Sequence, residues 1–210
     1  MTAGALPLLL AAYACGSFPS AYLAGRALKG IDLRRVGSGN LGTTNVYREL
    51  GAAPAAVVLL LDAAKGAVPS LAFPRLLVPT DDATVAMWWA FGFGFAAIIG
   101  HAKPVFLLWK GGGKGVATAA GVFFAVTPTA ATFALGAFLL VVSATRYVSL
   151  ASMIAAATLP VAELLLGAPM PAVAASVAVA LLVVVSHRGN LQRLMAGTER
   201  RLGRPGSASS

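Results

Sequence analysis

Long apolar runs joined by short polar connections limit this chain more than any other feature. They cover roughly residues 5–28, 52–77, 83–100, 116–126, 129–143, 150–166 and 171–186. In a bilayer each backbone N–H and C=O must find its partner within the protein, so runs of this length and apolarity read as membrane helices. Charged residues make up only 11% of the 210 residues, against about 25% in a soluble domain. The reading is an all-α, polytopic integral membrane protein: one transmembrane domain over residues 1–202, with a flexible tail at 203–210. The single cysteine, Cys15, sits inside the first run, excluding an internal disulfide. That run is not followed by an Ala-x-Ala cleavage site but leads straight into a polar motif, so it is expected to stay as a membrane helix.

Net charge is +9, and the excess is distributed unevenly among the connections. The first carries Arg26, Lys29, Arg34, Arg35 and Arg48, and the third carries Lys103, Lys110 and Lys114. Arg146 lies in the fifth, and the tail is strongly basic. The second sets Arg75 against Asp81 and Asp82, while the fourth and sixth have no charge. Cytoplasmic connections collect Lys and Arg, so this alternation predicts about seven transmembrane helices, N-terminus outside and C-terminus in the cytoplasm. The runs 116–126 and 129–143 are short for a ~30 Å hydrocarbon core and are expected to tilt or form a re-entrant hairpin. One helix through both would place Lys114 and Arg146 on opposite sides, against the charge pattern.

Three polar stretches interrupt the apolar pattern, all on the face the charges assign to the cytoplasm. The first is Gly37-Ser38-Gly39-Asn40-Leu41-Gly42-Thr43-Thr44-Asn45, with Arg48 beyond. Its G-x-G-x-x-G spacing matches the dinucleotide fingerprint, but no βαβ unit surrounds it, and Asp62 falls inside an apolar run. The underlying chemistry survives: glycines let N–H groups converge on an anion, Ser38, Asn40, Thr44 and Asn45 offer neutral hydrogen bonds, and Arg48 a bidentate phosphate contact. The second, Lys110-Gly111-Gly112-Gly113-Lys114-Gly115, lacks Walker A spacing. It still sets a glycine turn between two ammonium groups before a helix N-terminus, which suits a phosphate or acyl phosphate. The nearby boundary histidine, His101, is expected to be structural. The third is His187-Arg188-Gly189-Asn190 with Arg193; His187 and Asn190 share a helical face if the helix continues past Gly189. Glu199 is a structural partner for a nearby arginine.

Charges inside a membrane run either pair or mark a site. Asp62 and Lys65, three residues apart, can neutralise each other or reach the cytoplasmic face. Arg146 and Ser149 open the sixth run in Arg-Tyr-Val-Ser-Leu-Ala-Ser. No His-x4-Asp, no G-x-S-x-G elbow and no His/Cys/carboxylate metal cluster is visible.

These motifs, with Gly16-Ser17-x-Pro19 and Asp62-x-x-Lys65-Gly66-x-x-Pro69, resemble the bacterial membrane-integral acyl-phosphate:glycerol-3-phosphate acyltransferases, the PlsY family, over nearly the whole chain. The resemblance implies a seven-helix enzyme of the bacterial cytoplasmic membrane, its site facing the cytoplasm. It would move a fatty acyl group from acyl phosphate to the 1-hydroxyl of glycerol 3-phosphate, giving lysophosphatidic acid and phosphate. It implies no cofactor, metal, acyl-CoA, carrier protein or nucleic-acid partner. Ser38, Asn40, Arg48, His187 and Asn190 would be catalytic, binding and orienting substrate. Gly37, Gly39, Thr44, Asn45, Lys65, Lys110, Gly111, Gly112, Gly113, Lys114, Arg146, Ser149 and Arg193 would bind substrate or phosphate, and Asp62 and Glu199 would be structural. One departure stands out. The family motif is Lys-Gly-Gly-Lys-Gly, and the extra glycine here can shift a lysine by up to ~3.6 Å. The resemblance therefore does not say which lysine keeps the family role. A phosphate or organic-anion transporter is the alternative, but polar clusters at one face, without midplane charges or an inverted repeat, argue against it.

Overall fold

The computed structural model describes residues 4–77 and 82–203. Every regular element among them is helical. In order these are α1 (Ala5–Gly16), α2 (Ser20–Lys29), α3 (Thr43–Leu50), α4 (Ala52–Leu77), α5 (Ala83–Ala102), a 3-10 turn (Val105–Leu107), α6 (Val116–Val126), α7 (Pro128–Thr145), α8 (Val148–Leu165), α9 (Met170–Ser186) and α10 (Arg188–Met195). The chain packs as two compact units, Met1–Pro128 and Thr129–Ser210. The tail expected to be flexible lies, from residue 204 on, outside the described residues, as does Asp81.

Among the described residues, five stretches are long and apolar enough to cross a membrane: Ala5–Lys29, Ala52–Leu76, Ala83–Leu107, Pro128–Thr145 and Val148–Leu165. A sixth appears if α9 and α10, bent by 60°, count as one. Large apolar side chains such as Leu10, Leu60, Leu140 and Leu181 stay exposed along these helices, as lipid-facing residues do. The protein is thus an all-α, multi-pass membrane protein.

Two of these stretches differ from their sequence reading. The first is not one helix: Ser17-Phe18-Pro19 breaks it into α1 and α2, because Pro19 has no N–H to continue the ladder. The break carries polar chemistry into the apolar layer. The fifth apolar run is longer than expected, since α7 recruits Pro128, Ala144 and Thr145 to reach 18 residues. By contrast α6 has only 11 residues. Between them Thr127 leaves helical geometry and Pro128 starts the next helix.

The first unit is built by close backbone approach. Gly16 of α1 and Gly100 of α5 lie against the carbonyls of Ala97 and Tyr13, where any side chain would overlap. Gly66 of α4 and Gly121 of α6 meet the carbonyls of Thr118 and Ala63 in the same way. Small residues at helix crossings replace the hydrophobic driving force that lipid removes. Phe91, Phe93, Val122 and Phe123 fill the remaining core between α5 and α6. In the second unit α8 packs against α9, and α10 touches both.

Candidate active site

The loop before α3 is organised by one amide. Asn45 is buried; its Oδ1 accepts from Ser38 N–H (2.9 Å), and its Nδ2 donates to the carbonyls of Leu33 (3.1 Å) and Val36 (3.2 Å). It satisfies three loop groups that no regular structure would pair. This corrects the expectation that Asn45 faces a ligand: its hydrogen-bonding edge is turned into its own loop. Gly37, at φ +64, lies so close to that amide that a side chain would overlap it. The N–H of Gly39 goes to Val36 O (3.1 Å), that of Asn40 to Ser38 Oγ (3.4 Å) and that of Leu41 to Gly112 O (3.3 Å). The N–H groups of Gly39, Asn40 and Leu41 therefore bond within the loops. The Ser38 side chain remains exposed, and Asn40, Thr44 and Arg48 are half-buried, with Arg48 on the last turn of α3.

The first and second polar stretches meet. Arg34 Nη1 donates to Lys110 O (3.0 Å), and Asn40 Nδ2 and Leu41 N–H both donate to Gly112 O (3.4 and 3.3 Å). Arg34 is itself clamped to Asp32 at 2.7 Å. Hydrogen bonds from the Arg34 side chain hold the Asp32 carboxyl at about 2, below its ordinary 3.8. Just upstream, Tyr13 OH donates to Lys103 O (2.6 Å), and Trp109 Nε1 donates to Tyr13 OH (2.8 Å). Leu108 and Trp109 both adopt positive φ, which such residues rarely do, and they deliver the chain into the glycine turn.

None of the three glycines is slack. Gly111 has φ +87 with the Arg34 stem 2.8 Å from where a Cβ would stand. Gly112 lies on the carbonyl of Ala102, and Gly113 on the imidazole of His101. Lys110 is exposed and Lys114 half-buried, just before Gly115 caps α6.

Beneath the loop lies a buried ionic cluster. Lys65 Nζ stands 2.8 Å from Asp62 Oδ1 and donates to Phe18 O at 3.0 Å; the side chains are 7% and 1% exposed. Ser20 Oγ also donates to Asp62 Oδ1, and His101 Nδ1 lies 3.8 Å from that oxygen. The ammonium of Lys65, expected to bind substrate, is held by Asp62 and by a carbonyl at the Pro19 break. Removing either charge would strand the other in a low-dielectric interior. Sequence reading did not single out Ser20, nor give His101 its weight. The available signal was a serine just after Pro19 in the same layer as a buried Asp.

The second unit presents its own polar end. Glu199 Oε1 accepts from Ser149 Oγ (2.7 Å) and Asn190 Nδ2 (2.6 Å), and its Oε2 from Arg193 Nε (2.8 Å). Burial alone would raise this carboxyl, but the hydrogen bonds from Asn190, Ser149 and Arg193 outweigh it and carry it below the usual range. Arg146 is exposed at φ +62, and its carbonyl accepts from Leu202 N–H at 2.8 Å. Arg201 lies over the Tyr147 ring at 5.0 Å, so the C-terminal segment is tied to the start of α8.

His187 sits at the α9–α10 bend and is buried. His187 ends α9 and caps α10, and the helix continues past Gly189, with Leu191 N–H donating to His187 O at 2.9 Å; the 60° bend thus precedes the turn that carries Asn190. His187 Nδ1 is 2.8 Å from Val183 O. A carbonyl only accepts, so Nδ1 carries the hydrogen, and in the neutral ring Nε2 is the acceptor nitrogen.

Fold and site together define a multi-pass membrane protein whose helix ends carry joined glycine-rich, basic loops in one unit and a His/Asn/Glu/Arg cluster in the other. The sequence model described as Glycerol-3-phosphate acyltransferase matches residues 6–197, and the chain belongs to that family. It is 46% identical over 208 residues to the glycerol-3-phosphate acyltransferase of Synechococcus sp. (strain CC9902), covering 99% of this chain and 100% of that one. It is 43% identical to that of Gloeobacter violaceus, covering 96% of each chain. Among solved structures it resembles PlsY (YgiH), an integral membrane glycerol 3-phosphate acyltransferase. The TM-score is 0.85 for the glycerol 3-phosphate form, at 39% identity and over 95% of this chain and 96% of that one. For the lysophosphatidic acid form it is 0.82, at 37% identity and the same coverage.

Proposed function

We propose that this chain transfers a fatty acyl group from acyl phosphate to the 1-hydroxyl of glycerol 3-phosphate, releasing lysophosphatidic acid and inorganic phosphate. The observation that carries the reading is near-complete overlap, in sequence and fold, with an enzyme solved in a glycerol 3-phosphate form and a lysophosphatidic acid form. The enzyme belongs to the bacterial cytoplasmic membrane as a multi-pass protein. We further propose seven crossings, counting the short α6 and the bent α9–α10 beside the five long stretches, with the site facing the cytoplasm.

Acyl phosphate is already activated, so the protein's task is to position, desolvate and stabilise charge. The hydroxyl oxygen bonds to the acyl carbon and loses its proton, the bond from that carbon to the phosphate oxygen breaks, and phosphate leaves with the electron pair, taking up that proton in the overall balance. Arg48, with Ser38, Asn40 and Thr44 near it in sequence, supplies bidentate and neutral donors to anionic oxygens. The loop bearing Lys110, Gly111, Gly112, Gly113 and Lys114 holds acyl phosphate, its glycines allowing close approach. On the second unit, His187 Nε2 accepts the hydrogen bond of the attacking hydroxyl and orients it. Glu199 positions Asn190 and Ser149, the Asn190 amide as a donor and the Ser149 oxygen as an acceptor, while Arg146 and Arg193 supply positive charge.

The test is a detergent assay of purified protein with palmitoyl phosphate and glycerol 3-phosphate, following lysophosphatidate and phosphate release. Turnover that requires the acceptor and is lost in Arg48→Ala supports the reading. A folded wild-type protein that releases no lysophosphatidate overturns it.

A further inference from the structure

We propose that His101 is a positioning residue for acyl transfer, setting the glycine loop on the buried Asp62–Lys65 pair. The inference rests on the acyltransferase reading and adds a residue to it.

Three contacts run through this one histidine. Its carbonyl accepts from Gly113 N–H at 3.1 Å. The Nε2 edge of its ring occupies the space that a side chain at Gly113 would need. On the other edge, Nδ1 faces Asp62 Oδ1 at 3.8 Å. Asp62 cannot move freely, because Lys65 and Ser20 hold the same oxygen. The ring is therefore a buried spacer with a fixed back and the loop backbone on its front.

The next residue of the loop extends the argument. Gly112 O receives Asn40 Nδ2 and Leu41 N–H, so a displacement passed to Gly113 reaches the first polar stretch within one peptide unit. A small cavity at this junction is lined by Ser17, Lys65, His101, Gly112 and Gly113, which brings the broken first span, the ion pair and the loop together. Packed interiors transmit such shifts, and sub-ångström errors in placing a reacting group are costly to rate.

The experiment is a size-exchange cycle on full-length protein in detergent, with KM measured separately for palmitoyl phosphate and glycerol 3-phosphate. Gly113→Ala is expected to lose about tenfold or more in kcat/KM. His101→Ala should raise the KM of the substrate whose phosphate the loop holds by about tenfold, leaving the other KM within about twofold. Combining the two should recover activity relative to Gly113→Ala alone, because the space left by the ring admits the new methyl. His101→Gln, whose amide reaches the Nε2 end, should restore the KM lost in His101→Ala. Losses in the double variant that simply multiply, or variants that lower only the folded fraction with both KM values unchanged, would overturn the proposal. A folded wild type without turnover overturns the acyltransferase reading itself, so the two failures are told apart.

Discussion

Asn45 and Asp32 are small residues whose placement decides loop shape. Asn45 bonds three backbone groups of its loop, of which only Val36 O has a second donor, Gly39 N–H, so Asn45→Ala should lower stability by about 1–3 kcal/mol and reduce turnover through loop disorder. Thermal unfolding in detergent, read beside the acyltransfer assay, checks both effects. Asp32 is the clearer pH case. Its folded value, about 2, is below its ordinary 3.8, so its contribution is complete above that ordinary value and is lost as pH falls toward 2. The melting temperature of Asp32→Asn should therefore fall less steeply than wild type between pH 4 and pH 2. Equal slopes would show that the Arg34 pair adds nothing. Arg48, His187 and Asn190 are legible in sequence as unusual chemistry in an apolar chain. That Asn45 and Lys65 look inward is not, because polarity says nothing about which way a side chain turns.

At the scale of elements, backbone contact sets the packing. Gly66 and Gly121 join α4 to α6, and Gly121→Leu should separate the pair and destabilise the protein by about 1–3 kcal/mol or more. Gly136→Ala, in α7 where an added Cβ would meet nothing within 4 Å beyond its own helix, is the control and should be neutral or slightly stabilising. Comparing their melting temperatures tests whether crossing geometry, and not helix propensity, governs stability. Deleting Gly113 brings the Gly112 carbonyl, bonded to Asn40, and the His101 contact into conflict. The shortened loop should lose activity about tenfold or more in the acyltransfer assay. Apolar run length and Pro-Gly punctuation reveal most helix boundaries from sequence. The break at Pro19 is hidden because membrane helices tolerate a proline and the short side chains of Ser17 and Ser20, so nothing there interrupts the apolar run by charge or length.

For the whole molecule, the proposed topology places the loops at residues 35 and 197 on the cytoplasmic face and that at 168 outside. In a Cys15→Ala background, single cysteines at 35 and 197 should react with a membrane-impermeant maleimide only in inverted vesicles, and one at 168 only in spheroplasts. The reverse pattern at any site would refute the assigned orientation. By itself the sequence determined the solvent of this protein, its helical class, its loop charges and the residues with phosphate chemistry, because composition and spacing act locally and survive without coordinates. Only the tertiary structure decided that the first span is broken, that Asp62, Lys65, Ser20 and His101 form one buried cluster, and that two glycine-rich loops are bonded together. Those contacts join residues tens of positions apart, and their partners are chosen by helix packing, which no local pattern encodes.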